Sequence, residues 1–124
     1  MSTAGITPDT RYPWGQCTWW AATRRADIGK PIPGWGNAAT WAGSAASAGY
    51  TVDGSPSAGS VIVFQPGVLG ASADYGHVAM VEEVRGDGSI LISESNALGL
   101  GVVSTREISA SQLAAAGSGI RYIH

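Results

Sequence analysis

The chain is poor in several things at once, and each scarcity excludes something. Its 124 residues hold one cysteine, one phenylalanine, two histidines and a single lysine, Lys30. One cysteine rules out an internal disulfide and any cysteine-rich metal centre, and leaves the thiol free for chemistry. A formal charge of −2, a pI near 5.5 and no basic cluster beyond Arg24-Arg25 exclude the electrostatic footprint of a nucleic-acid binder. No apolar run approaches the ~20 residues that span a bilayer, so membrane insertion is not expected. The start, Met1-Ser2-Thr3-Ala4-Gly5, has neither the basic nor the apolar region of a secretory signal. There are no internal repeats and no interdomain linker.

What remains is the composition of a folded domain. Apolar residues make up 44% of the chain, enough for a real core at this length, and a monomer is expected. Eighteen glycines and six prolines imply many turns and short elements. Residues 1–10 read as a flexible, polar lead-in and 11–124 as one domain.

Within that domain the pattern is helices first, then strands. A helix is predicted over about 16–27, with Arg24 and Arg25 near its negative end and Gly29 beyond it. Asn37 is placed to cap a second helix over about 38–48, where Trp41, Ala45 and Ala48 share a core-facing side. Strands are predicted over 59–64, 77–84, 89–96 and 102–108, with Ile120 to Ile123 closing the sheet. Ser109 followed by Gln112 is a capping-box pattern for a short helix over 110–116. The predicted class is α+β, with a small helical half packed on an antiparallel sheet or half-barrel.

The stretch Tyr12-Pro13-Trp14-Gly15-Gln16-Cys17-Thr18-Trp19-Trp20 concentrates the chemistry. Pro13 and Gly15 make an irregular approach, and no helix breaker follows Cys17 until Gly29. Cys17 therefore falls in the first helical turn, where free backbone N–H groups and the positive dipole end favour a thiolate. Thiol catalysis also needs a base and a group to orient that base. His124 is the last residue and is expected to fray, so the base, by elimination, is His77, at the head of a strand after Asp74-Tyr75-Gly76.

The hairpin around Arg85-Gly86-Asp87-Gly88 then limits the orienting group. With Gly86-Asp87 at the tip, His77 lies across from Asn96. With Asp87-Gly88 at the tip, Asn96 faces Ala79. In either register His77 shares a sheet face with Ile90, Ile92, Glu94 and Asn96. Glu94 and Asn96 are thus both candidates to orient it, and these residues leave the choice open.

Four ordered motifs carry a resemblance. They are Tyr12-Pro13-Trp14-Gly15-Gln16-Cys17-Thr18-Trp19, Trp35-Gly36-Asn37-Ala38 with Trp41, Gly76-His77-Val78-Ala79, and Ile92-Ser93-Glu94-Ser95-Asn96. The chain resembles the CHAP domain, the cysteine, histidine-dependent amidohydrolase/peptidase family, over nearly its whole length. The resemblance implies a papain-like fold and hydrolysis of bacterial cell-wall peptidoglycan, either as an N-acetylmuramoyl-L-alanine amidase or as a wall-peptide endopeptidase. It matches Cys17 to the nucleophile, His77 to the base, and Glu94 to the acidic orienting residue. Asn96 matches an asparagine that supplements or replaces that role in some members.

The oxyanion is then expected at the Cys17 N–H and the Gln16 side-chain amide. Trp14, Trp35, Asn37 and Tyr75 are expected to line the groove. No cofactor is implied. The calcium site of some CHAP domains lies before the cysteine, where this chain offers only Asp9, so no required metal is expected. The implied place of action is the wall, reached by a phage lysin or a secreted bacterial protein. The competing readings are a non-catalytic wall-binding module and a papain-like amidase with a soluble substrate. A redox sensor would lack its resolving cysteine.

Overall fold

The protein is described here from a computed structural model, which covers residues 3–124. Met1 and Ser2 of the lead-in lie outside the described residues. Chain order gives helix α1 (Cys17–Asp27), a 3-10 turn (Ala38–Thr40) running into α2 (Trp41–Ser47), and strands β1 (Val52–Asp53), β2 (Val61–Phe64), β3 (His77–Val84), β4 (Ile90–Ser95) and β5 (Val103–Ile108). Helix α3 (Ala110–Ala116) and strand β6 (Ile120–Ile123) complete it. The strands form one antiparallel sheet in the order β1-β6-β2-β3-β4-β5. The α+β reading holds, and the last strand lies inside the sheet instead of at its edge.

Strand β2 explains why this sheet reads as apolar runs. All four of its residues are buried, and alternate ones feed two separate cores. Val61 and Val63 join Val78, Met80 and Ile123 beneath Trp19, Trp20, Trp41 and Ala45 of the first two helices. Ile62 and Phe64 join Ala79, Val81, Ile90 and Ile92 on the other face, covered by Leu113 and Ala116 of α3 and by Val68 and Leu69 of the β2–β3 loop. A strand buried on both faces has no polar side to alternate with.

Helix α1 is buried from Thr18 through Thr23 and again at Arg25. Arg25, only 2% exposed, is expected at the helix end for its charge, yet it acts as a staple. Its guanidinium donates to the carbonyls of Lys30 (2.9 Å), Gly59 (2.8 Å) and His124 (3.2 Å). Arg24 reaches Glu82 of β3 with two donors at 2.9 and 3.1 Å. Ser93 of β4 donates to the same carboxylate (2.6 Å) and accepts from Trp20 Nε1 (2.9 Å). Polar groups bonded in this way hold α1 at a fixed height over β3 and β4.

Two local expectations are corrected. His124 does not fray: its N–H donates to Thr51 (2.9 Å), and its ring bonds Ser57 Oγ (2.7 Å) and Asp53 Oδ1 (2.8 Å). Asn37 occupies the cap position without a side-chain cap bond, because the 3-10 turn tightens the helix entry there. The Ser109–Gln112 capping box forms as expected. Within the lead-in, Ile6 packs on the helical core and the Asp9 N–H donates to Thr23 of α1.

Candidate active site

The site is assembled where the N-terminus of α1 meets the head of β3. Gln16 has extended backbone (φ −75°, ψ 165°) and Cys17 begins the helix. The first N–H groups of the helix have no intrahelical acceptor. The backbone N–H groups of Thr18 and Val78 and the ring of His77 all act on the Cys17 sulfur. Burial pushes the thiol up, but the His77 bond and charge with the two amides outweigh it and hold Cys17 below an ordinary thiol. Burial would lower His77, but its bonds to Cys17 and Glu94 raise it to about 9. The two shifts share a cause: the sulfur and the imidazole each favour the charged form of the other.

Of the two candidates, Glu94 is the one that bonds the ring: its Oε1 lies 2.9 Å from His77 Nε2. Asn96, the other candidate, bonds elsewhere. Its side-chain N–H donates to Gln16 Oε1 at 3.0 Å. With Oε1 occupied, the Gln16 NH₂ is left to donate toward the groove. Asn96 sits at φ 65°, unusual for a residue with a side chain. This backbone turns the chain out of β4 beside the Gly15-Gln16 loop.

A β-bulge makes the His77–Glu94 contact possible. Beside the turn, Val84 pairs with Ile90 and Glu83 with Leu91. That register is neither of the two expected: it centres on Asp87, and Gly88 closes the turn at φ 86°. Carried onward it would place Glu94 on the face opposite His77. The bulge at Glu82 removes one residue from the count, so that Val81 pairs with Ile92 and Met80 with Ser93. Beyond it His77, Ile92, Glu94 and Asn96 share a face, as the sequence predicts.

A groove runs past the sulfur on both sides. One arm, of about 580 Å³, is lined by Gln16, Cys17, His77, Glu94, Asn96, Leu98 and Arg106 among others. The other, of about 440 Å³, is lined by Arg11, Tyr12, Gln16, Cys17, Asn37 and Tyr75 among others. Asn37 and Tyr75 therefore stand in the walls. Trp14 and Trp35 do not, which corrects their expected placement. Trp35 packs edge-on against Trp41 and Tyr50, with centroids at 5.6 and 5.2 Å, because the Pro/Gly loop folds inward onto the core. Trp14 is 62% exposed and covers Gly101, where a Cβ would fall 2.2 Å from the indole. It clamps the loop after Asn96 to Gly15, whose carbonyl accepts from the Gly101 N–H at 3.1 Å.

Comparison with known proteins places this geometry. The family model described as the CHAP domain matches residues 7–96. The chain belongs to the CHAP domain family. This CHAP domain is 47% identical over 100 residues to an N-acetylmuramoyl-L-alanine amidase domain-containing protein of Staphylococcus aureus, covering 80% of the chain and 16% of that protein. It is 44% identical over 115 residues to the N-acetylmuramoyl-L-alanine amidase sle1 of the same species, covering 91% and 31% respectively. A crystal structure of an N-acetylmuramoyl-L-alanine amidase from Staphylococcus aureus superposes with a TM-score of 0.85 at 41% identity, over 93% of this chain and 31% of that one. The chain spans under a third of the length of each of these relatives.

One residue of the CHAP domain site is absent from the sequence reading. Arg106 of β5 forks onto Glu94, with Nε to Oε2 at 3.0 Å and Nη2 to Oε1 at 3.1 Å. Its signal was a lone cation two residues before the buried Ile108, on the same face of the strand. Burial raises Glu94, and the His77 bond with the Arg106 charge more than reverses this, holding the carboxyl below its ordinary range. Asp9 of the lead-in is taken up by Arg11, whose side chain lies 2.8 Å from it.

Proposed function

We propose that this domain hydrolyses bacterial peptidoglycan with Cys17 as nucleophile, at the amide between N-acetylmuramic acid and L-alanine. The observation that carries the proposal is that Cys17, His77 and Glu94 line one open groove, with His77 Nε2 bonded to Glu94 Oε1 at 2.9 Å. The choice of bond is supported by the names of three relatives, two of them N-acetylmuramoyl-L-alanine amidases and one a protein containing that amidase domain. The domain then acts where its substrate lies, at the cell wall outside the membrane.

In the proposed reaction the Cys17 thiolate attacks the lactyl carbonyl, and the C=O electron pair moves onto oxygen. The Cys17 N–H and the Gln16 amide stabilise that oxyanion, and Asn96 holds Gln16 in place for it. One such donor is typically worth ~3 kcal/mol of the barrier. As the tetrahedral intermediate collapses, the C–N bond breaks and the His77 imidazolium gives its proton to the alanine nitrogen. Neutral His77 then takes a proton from water, the resulting hydroxide cleaves the thioester, and the thiolate returns. Glu94 keeps one tautomer of the ring in place throughout. Asn37 and Tyr75 supply a polar edge and a flat face for the wall strand.

Purified walls incubated with the domain should release stem peptides with a new N-terminal L-alanine, read by mass spectrometry. Cys17→Ala should abolish that release, a loss of at least ~10³-fold, with an unchanged circular dichroism spectrum. A new N-terminal glycine or a new C-terminal D-alanine would move the cut to the wall peptide. Wild-type release by the folded variant would refute cysteine catalysis.

A further inference from the structure

The Arg106 guanidinium does more than neutralise a carboxylate. It lies on β5 across from Ile92, on the sheet face that carries Glu94. Two of its nitrogens engage both oxygens of Glu94, and Oε1 is the same oxygen that holds His77 Nε2 at 2.9 Å. The third nitrogen donates to the Leu69 carbonyl at 2.8 Å, in the groove wall, where Leu69 is held at φ 49°. The plane of the cation sits over the Phe64 ring at 5.5 Å, and that ring packs against His77 with centroids 5.6 Å apart.

Glu94 needs such a partner. Its side chain is 3% exposed, and a carboxylate removed from water without compensation takes up a proton. A protonated or rotated Glu94 no longer presents Oε1 to the imidazolium. A bidentate fork fixes charge and plane together, which a single contact does not.

We propose that Arg106 is a positioning residue: it locks the carboxylate plane of Glu94 onto His77 Nε2 and ties the Leu69 wall of the groove to the same carboxylate. The proposal rests on the reading of Cys17, His77 and Glu94 as the reacting set. The ionisable groups facing His77 are Cys17 from α1, Glu94 from β4 and Arg106 from β5, with the Tyr75 phenol in the groove wall. Removing the fork weakens the imidazolium, and with it the thiolate that the imidazolium stabilises.

Because Cys17 is the sole thiol, its alkylation by iodoacetamide as a function of pH reports the thiolate without any wall substrate. The wild-type protein should alkylate at pH values below the ordinary thiol range. Arg106→Met should move that limb up by about one unit, a roughly 10-fold slower reaction at pH 6. Arg106→Lys, which keeps the charge and loses the fork, should fall between. On walls, Arg106→Met should lower kcat ~10–100-fold with KM nearly unchanged, the size seen when an orienting partner behind a reacting group is lost. An alkylation profile of folded Arg106→Met that superimposes on wild type overturns the proposal. If Arg106→Met does not fold, Arg106→Lys carries the test, and a wild-type profile for it overturns the proposal equally. A wild-type protein with the low alkylation limb but no release from walls would instead sink the hydrolase reading and leave the role of Arg106 on the His77–Glu94 pair standing.

Discussion

Cys17 and His77 each favour the charged form of the other, and the proposed reaction needs both charged. The imidazole is held up to about 9 and the thiol below its ordinary value, each shift favouring the charged form of its group. The signs follow directly. Below the lowered thiol value Cys17 gains a proton and cannot attack. Above about 9 His77 loses the proton it must give to the leaving amine. A pH–rate profile of kcat/KM on solubilised wall fragments should therefore be a bell with its alkaline limb near 9. An alkaline limb near the ordinary histidine value of ~6.5 would break the ion-pair picture. At this scale the sequence was informative about Cys17 and His77, because a lone thiol and a lone usable imidazole leave few choices. It was silent on Arg106, whose partner stands twelve residues away on a neighbouring strand. Trp35 misled, since a flat apolar ring suits a core as well as a groove.

Strand β3 enters the sheet through Gly76, and there the backbone leaves no room. A Cβ at that position would lie 2.5 Å from the Phe64 carbonyl, at φ 70°. Gly70, in the same loop, has φ 85° and open space around it. Gly70→Ala should cost only the left-handed backbone strain, about 1–2 kcal/mol. Gly76→Ala should cost more than that and should also lower kcat, because the strand head that aims His77 must shift. Urea unfolding of the two variants, with turnover measured alongside, checks the difference; equal losses in both would remove the steric argument. The hairpin teaches the same lesson about elements. Its turn residues were legible, but the bulge at Glu82 was not, and the bulge decides which face Glu94 occupies. Glu82 looks like any exposed strand residue in the sequence, and only α1, through Arg24, explains why it turns aside.

Over the whole molecule, the parts are held by a few polar anchors inside two apolar layers. Arg25 binds three carbonyls that belong to the loop after α1, the approach to β2 and the residue after β6. Arg25→Leu would strand all three, at ~1–3 kcal/mol for each acceptor left unpaired. The expected loss of at least about 3 kcal/mol is measurable as a drop in the denaturation midpoint. A loss under about 1 kcal/mol would mean that water or a shifted chain takes over these bonds.

The class of the fold, the order of its elements, the family, and Cys17 and His77 as candidates were all present in the linear chain. Periodicity, caps and breakers are local, and rare residue types stand out by count. The partner of Glu94, the insertion of β6 between β1 and β2, the task of Asn96 at Gln16 and the inward fold of Trp35 came only with the tertiary structure. Each of these depends on register or on which face a side chain takes, and one bulged residue is enough to reverse that.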